Sequence, residues 1–261
     1  MTAQGKSRQW KVASLLGLAA LAPGATVAHA GEWEHALSPY LWATGMSGVA
    51  AVGTPLGPLE ADVDMSFSDI LSNLRLGGMV NYEGHNGKWV VLSDAIYMDL
   101  RGNGERSVPG IQTRSQADLT QLALELDGGY FITERIALYA GARYNDIDAD
   151  LRVDVTTLLG TNRRSASGSA SWVDPIVGLL GHFPLAPRWS VDLKADIGGF
   201  GVGSEFTWQV MGGVRWQLND AWDLTAAYRY LDVDYEDLNG TGIVRYNVVS
   251  QGPMLGGTWH F

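Results

Sequence analysis

Residues 205–218 read EFTWQVMGGVRWQL and alternate between apolar and polar side chains along most of their length. Phe206 and Trp208 fall on one face of this stretch, and Thr207 and Gln209 fall on the other. A period of two belongs to a β-strand, whereas a helix of this length needs a period of 3.6. The stretch therefore predicts a strand with one apolar and one polar face.

The same alternation recurs along the chain from about residue 36 onward, and turn signals cut it into antiparallel segments. Short turns are predicted at Asn86–Gly87, Thr133–Glu134, Ala186–Pro187 and Asn219–Asp220, alternating with longer polar or Gly-rich connections at 51–74, 102–113, 156–169, 201–204 and 238–242. About ten strands follow, near 36–50, 75–86, 88–101, 114–131, 135–155, 170–185, 188–200, 205–218, 222–237 and 243–261.

The composition excludes several classes of protein. The 261 residues include no Cys, which rules out a disulfide scaffold, a Cys-ligated metal site and a thiol nucleophile. A formal charge of −10 argues against nucleic-acid binding. No apolar run reaches the roughly 18 residues of a transmembrane helix. Alternating strands in a chain with nearly balanced polar and apolar residues remain compatible with a transmembrane β-barrel.

The first thirty residues have the three parts of a secretory signal peptide. Lys6, Arg8 and Lys11 give a positive start, residues 12–22 form a short apolar run, and residues 28–30 read AHA. We expect this segment to be removed.

We therefore predict two parts of the chain, a cleaved signal peptide at 1–30 and an outer-membrane barrel domain at 31–261. Residues 1–30 contain three Lys or Arg and no acid, so the count of basic residues falls from 18 to 15 against 28 acids. The net charge changes from −10 to −13. Export would place the mature chain beyond the inner membrane.

Two sets of residues indicate which face meets lipid. Aromatic residues crowd the predicted short turns, as at a membrane interface. The polar face carries charges of both signs, which we expect to point into the lumen: Arg75, Glu83, Asp94, Glu125, Asp127, Arg143, Asp174, Asp192, Lys194, Asp196, Arg215 and Arg229.

The chain ends on an alternating segment that contains Leu255, Gly257, Trp259 and Phe261. This ending resembles the recognition signal of Gram-negative outer-membrane β-barrel proteins. The resemblance implies insertion by the outer-membrane assembly machinery and contact with outer-membrane lipid and lipopolysaccharide; we expect a monomer.

Three internal segments carry a second resemblance. Residues 39–42 (PYLW), 63–69 (VDMSFSD) and 228–234 (YRYLDVD) look like a group of proteobacterial outer-membrane proteins described as hypothetical or porin-like. That likeness implies no activity.

The predicted fold is a transmembrane antiparallel up-and-down β-barrel of about ten strands, with eight or twelve as alternatives. Only a helix or a closed sheet pairs every backbone polar group in hydrocarbon. Short turns would face the periplasm and longer loops the outside. An internal echo, RYNDID at 143–148 and RYLDVD at 229–234, suggests a reused hairpin or chance similarity between amphipathic strands.

Residues able to carry chemistry are few. The mature chain has four histidines, His35, His85, His182 and His260, all expected near the short turns, away from an outer-rim hydrolytic site. We expect no enzyme, no cofactor and no well-defined metal site.

Acidic residues gather at the expected outer ends of two strands. Asp146, Asp148, Asp150, Asp232 and Asp234 could bind divalent cations weakly, or simply form a solvated rim.

The first long connection is the least determined part of the chain. Residues 58–74 are predicted as an extra strand, a lumen plug or an extracellular loop. Asp62–Phe67 has strand character, and Ser68 is a candidate N-cap for a helix over Asp69–Leu74.

The functional prediction is a narrow porin-like channel or an envelope structural protein. The alternatives are an anchor for acidic loops that bind cations, lipopolysaccharide or a partner, a lipid-modifying barrel enzyme, and a periplasmic lipocalin-like binder. No residue pattern specifies a solute.

Overall fold

The computed structural model describes residues 32–54, 57–108, 111–157, 160–237 and 242–261. The predicted signal peptide at 1–30 lies outside the described residues. The elements are β1 Glu34–Trp42, β2 Gly45–Thr54, β3 Gly57–Met65, α1 Phe67–Asn73, β4 Leu74–His85, β5 Trp89–Val108, β6 Ile111–Phe131, β7 Ile136–Thr157, β8 Gly160–Ala186, β9 Trp189–Gly198, β10 Phe206–Asn219, β11 Trp222–Glu236 and β12 Ile243–His260. Within these ranges, no helix is long and apolar enough to cross a membrane.

Ten of the strands form a closed antiparallel ring. β4 to β12 follow one another in chain order, and β1 pairs with β4 on one side and β12 on the other. Phe261 completes the closure, because its N–H donates to the carbonyl of His35. The predicted up-and-down barrel of about ten strands is confirmed.

The first predicted strand, 36–50, is two strands with a break at Ala43 and Thr44. β1 pairs with the last third of β12, whereas β2 continues along the first half of β12. At the break, a Cβ on Gly252 would lie 2.1 Å from the carbonyl oxygen of Ala43, so only glycine fits there. β2 then forms a hairpin with β3 outside the ten-stranded ring.

The structure decides among the alternatives for 58–74. Gly57–Met65 is a strand, and a seven-residue helix follows it. Ser66 caps this helix, which corrects the prediction of Ser68: its Oγ accepts from the Asp69 N–H, and the Asp69 carboxylate accepts from the Ser66 N–H at 2.9 Å. This capping box fixes the helix start. α1 contacts β2, β3 and β5 and buries Ile70.

Two predicted connections, 102–113 and 156–169, are largely strand. β5 continues to Val108 and β6 begins at Ile111, while β7 continues to Thr157 and β8 begins at Gly160. Where these hairpins extend beyond the ring, no apolar medium covers one of their faces, so their side chains need not alternate in polarity. The sequence signal for a strand is lost there although the ladder persists.

We call the end that carries Phe261 and the turns at 86–88, 132–135, 187–188 and 220–221 the short-turn end, and the opposite end the long-hairpin end. Exposed apolar side chains cover the outside of the ring between two rows of aromatic residues. Trp89, Tyr130, Trp189, Trp216, Trp222 and Trp259 form the row at the short-turn end, and Tyr97, Tyr144, Trp208 and Tyr230 form the other.

The height of this apolar belt follows from β11. Trp222 and Tyr230 are eight residues apart, and a strand rising about 3.4 Å per residue with a tilt of about 40° covers roughly 20 Å. That height is close to the apolar band of about 25 Å found on transmembrane barrels.

Candidate functional site

The lumen gathers most of the charges that alternation assigned to it. Glu83, Asp94, Glu125, Asp127, Arg143, Asp174, Asp192, Lys194, Asp196, Arg215 and Arg229 are buried or line its cavities. Arg75 does not join them, because the β4–β5 register shifts between Leu74 and Leu76. Its side chain is half exposed and pairs with Asp99 at 3.4 Å.

Seven of these residues form what we call the ionic layer: Asp94, Glu125, Asp127, Arg143, Lys194, Asp196 and Arg229. Arg143 is its centre, with Nη2 2.7 Å from Glu125 Oε2 and 2.9 Å from Asp196 Oδ1. Lys194 Nζ donates to Glu125 Oε1 at 2.5 Å. The layer therefore ties β6, β7 and β9 together across the lumen.

The second half of the ionic layer is built on Arg229. Its Nη1 donates to Asp94 Oδ2 at 2.8 Å, and its Nε donates to Gln209 Oε1 at 2.9 Å. The Tyr40 hydroxyl donates to the other oxygen of Asp94 at 2.8 Å. The guanidinium also lies over the ring of Trp42, 4.9 Å from its centroid. These contacts join β1, β5, β10 and β11.

On the long-hairpin side of the ionic layer the lumen is filled by apolar side chains, which we call the apolar plug. Its buried members include Trp42, Met46, Ile96, Met98, Ile147, Trp172, Leu231, Val233, Tyr235, Tyr246 and Val248. Four of the seven methionines of the chain, Met46, Met65, Met79 and Met98, belong to it or pack against it. Flexible thioether side chains fill irregular gaps well. A cavity of only about 30 Å³ remains between the plug and the ionic layer.

β8 closes the lumen above the plug. Although it is not a ring neighbour of β12 or β2, it contacts both. A Cβ on Gly168 would lie 3.1 Å from the carbonyl carbon of Gly242. Below this contact, the rings of Trp172 and Tyr235 stack at 4.2 Å.

The connection 199–205 between β9 and β10 makes the barrel wall short at this point, and Asp174 holds this connection in place. This fully buried carboxylate accepts from the backbone N–H of Ser204 at 2.6 Å, from its hydroxyl at 2.9 Å and from Trp172 Nε1 at 2.9 Å. Phe200 has a φ of +52° in this connection, a conformation that costs energy in a non-glycine residue. Its ring stays half exposed.

On the short-turn side of the ionic layer the lumen is an open cavity of about 580 Å³, which we call the cup. All four predicted histidines line it: His35, His85, His182 and His260.

The wall of the cup carries a chain of contacts across five consecutive strands. His182 Nδ1 lies 2.7 Å from Asp192 Oδ1, and Arg215 Nε lies 2.7 Å from Asp192 Oδ2. Arg215 is 3.8 Å from Asp223, which lies 2.7 Å from His260 Nε2. These groups bind one another, so the polar side chains of the cup wall largely satisfy each other's hydrogen bonds and charges.

The candidate cation residues do not form one cluster. Asp146, Asp148 and Asp150 lie on β7, whereas Asp232 and Asp234 lie on β11, four strands away in the ring. Partial burial, followed by the charges of its two neighbours, raises the pKa of Asp148. Among the described residues, no group of three or more Asp, Glu or His side chains is arranged to hold a metal ion.

The internal echo has a structural meaning that the sequence alone did not reveal. Arg143 and Arg229 both point into the ionic layer, and the residues that follow them, Tyr144 and Tyr230, both lie in the outer aromatic row. The polarity of the two faces inverts immediately beyond. Inward positions become apolar and outward positions become acidic, because the strand leaves the belt and packs around a protein core.

Sequence reasoning missed two parts of the site. The uncharged partners Tyr40, Tyr139 and Gln209 complete the hydrogen bonds of Asp94 and Asp196. The plug was missed because the apolar face was assigned to lipid along the whole of each strand. The sequence signal that could have revealed the plug was the inversion of polarity between the two faces in the echo segments 143–148 and 229–234.

No protein-family model matches the chain, and no curated protein matches it. Solved structures that align with it include the outer membrane protease OmpT from Escherichia coli, at 8% identity and a TM-score of 0.47, covering 90% of this chain and 99% of that one. The translocator domain of the autotransporter NalP from Neisseria meningitidis aligns at 11% identity and a TM-score of 0.44, covering 89% and 90%. The attachment invasion locus protein Ail of Yersinia pestis aligns at 14% identity and a TM-score of 0.33, covering 88% and 99%.

Proposed function

We propose that this protein is an outer-membrane barrel with a closed lumen, acting as an envelope structural protein that presents its long hairpins outside the cell. The observation that supports this proposal is that two barriers follow one another along the lumen. The ionic layer and the apolar plug lie one above the other, and only about 30 Å³ of space separates them.

The outer surface supports the membrane placement. An apolar belt between two aromatic rows fits a bilayer, and the closed ring leaves no unpaired strand edge within it. The short-turn end then faces the periplasm, so the cup opens inward. Contacts with lipopolysaccharide, insertion by the assembly machinery and a monomeric state are further parts of this proposal.

Labelling tests the placement directly, because the chain has no cysteine of its own. Asn103→Cys lies on the outward face of a long hairpin, and Glu134→Cys lies in a short turn. A membrane-impermeant maleimide should label the first variant in intact cells and the second only after the outer membrane is opened. Labelling of both, or the reverse order, would contradict the proposed orientation.

A narrow channel is the second candidate, and the cup favours it. Its volume of about 580 Å³ opens at one end, and a pathway would form if the ionic layer, the plug and the β8 contact above it rearranged. Deletion of the protein separates the two candidates. A structural protein predicts increased detergent sensitivity with unchanged uptake of small solutes, whereas a channel predicts reduced uptake.

A further inference from the structure

Asp127 differs from every other carboxylate of the ionic layer in having no hydrogen-bond donor. It lies on β6 with its side chain fully buried, and neither of its oxygens accepts a hydrogen bond. Glu125, by contrast, accepts from both Arg143 and Lys194. Removing a carboxylate from water without a donor is costly, so an ionised group is unstable in this position.

The cross-strand neighbours of Asp127 carry no polar side chain. Its cross-strand neighbours are Leu92 on β5 and Gly141 on β7. Leu92 belongs to a second buried apolar cluster with Val90 and Tyr139. A Cβ on Gly141 would lie 2.2 Å from Asp127 Oδ1, so the carboxyl group packs flat against the wall and water has no room on that side.

Three charged groups face Asp127, and none of them donates a hydrogen bond to it. Glu125 shares its strand, Lys194 projects from β9, and Arg143 projects from β7. Lys194 Nζ is 3.6 Å from Asp127 Oδ2, beyond a hydrogen bond, while it donates to Glu125 at 2.5 Å. Lys194 therefore hydrogen-bonds to Glu125 and forms only a longer ion pair with Asp127.

A count of charges leads to the same residue. The ionic layer contains four acids, Asp94, Glu125, Asp127 and Asp196, and three bases, Arg143, Lys194 and Arg229. If all seven were ionised, the layer would carry a net charge of −1 in the interior of the barrel. It is neutral if one acid is protonated, and Asp127 is the acid that lacks a donor.

We infer that Asp127 is a proton-binding site of the barrel and holds a proton at neutral pH while the ionic layer is closed. Loss of this proton places a second carboxylate beside Lys194, where it competes with Glu125. Lys194 also lines the cup, so the proton site lies next to that cavity.

Infrared spectroscopy of the folded, detergent-solubilised protein tests this inference. The wild type should show the carbonyl band of a protonated carboxylic acid at neutral pH, and Asp127→Asn should lack that band. Asp174→Asn is the matched control, because Asp174 is a buried carboxylate outside the ionic layer that accepts from Ser204 and Trp172, so this variant should keep the band. A wild-type protein without the band, or an Asp127→Asn protein that retains it, overturns the inference.

A second measurement needs no variant. Wild-type protein labelled with 13C-aspartate should show the band shifted to lower frequency, and raising the pH should remove it. A band that does not shift on aspartate labelling assigns the proton to another residue and overturns the inference. These results do not depend on membrane orientation, so failure of the proton-site inference can be distinguished from failure of the proposed function.

Discussion

Arg143 and Asp196 lie on strands two apart in the ring, and Nη2 of the arginine is 2.9 Å from Oδ1 of the aspartate. The arginine side chain is only 2% exposed and the aspartate is completely covered. A buried ion pair of this kind adds little net stability, but its separation leaves a charge without a partner. The pair therefore specifies how the strands meet across the lumen.

Arg143→Met should destabilise the barrel by about 3–5 kcal/mol, because Glu125 and Asp196 would lose their shared cation in a buried site. The measurement is the urea concentration at the midpoint of unfolding in detergent, with the heat-modifiable shift on a gel as the readout of folding. Arg163→Met is the control, since Arg163 pairs with Asp154 on an exposed hairpin. Equal loss in both variants would show that the ionic layer has no special role.

Gly141→Ala should destabilise the barrel by roughly 1–3 kcal/mol, because the new methyl group overlaps Asp127 and the carbonyl oxygen of Leu126. Gly128→Ala on the neighbouring strand is the control, since a Cβ there meets nothing within 4 Å. Thermal unfolding of both variants gives the comparison. An unchanged Gly141→Ala protein would mean that the wall beside Asp127 is looser than described.

Leu193→Arg should impair insertion into lipid by about 2–4 kcal/mol, because Leu193 faces outward in the middle of the apolar belt. Asn103→Arg places the same charge on a long hairpin, beyond the belt, and should insert normally. Folding titrations into vesicles of one lipid composition measure both. If the two variants insert equally well, the proposed belt is not the membrane-facing surface.

Ser66→Ala should increase hydrogen exchange in α1, since an N-cap contributes about 1 kcal/mol to its helix. Ser72→Ala, within the same helix but away from the cap, is the control.

Acid should have the same effect on the wild-type helix. Hydrogen bonds from the Ser66 hydroxyl and N–H hold the pKa of Asp69 below its ordinary value. A lowered pKa in the folded state stabilises the helix above the ordinary aspartate range, and this contribution is lost as pH falls through the lowered value. Exchange in 66–73 that is insensitive to acid and to Ser66→Ala would contradict the capping role.

The barrel could be predicted from the sequence because the belt imposes one physical rule on every strand. Lipid outside and a polar lumen inside force alternation, and the segment 205–218 shows it with few exceptions. The prediction weakened where that rule stops. The hairpin ends around Val108 and Thr157 lie beyond the belt, and residues 102–113 and 156–169 carry no regular alternation.

The lumen was predictable only in part for two different reasons. A register shift beside Arg75 breaks the parity on which its inward assignment rested. The plug depends on the inversion of polarity after Arg229, where Leu231 and Val233 turn inward. No composition argument distinguishes an apolar side chain that faces lipid from one that faces a protein core.

The most direct test of the closed lumen is single-channel recording of the purified barrel in a planar bilayer at neutral pH. The ionic layer and the apolar plug predict no steady ionic current, and insertion is verified independently by maleimide labelling of Asn103→Cys in vesicles of the same lipid. A stable conductance from the wild-type protein under these conditions would contradict the closed-lumen account.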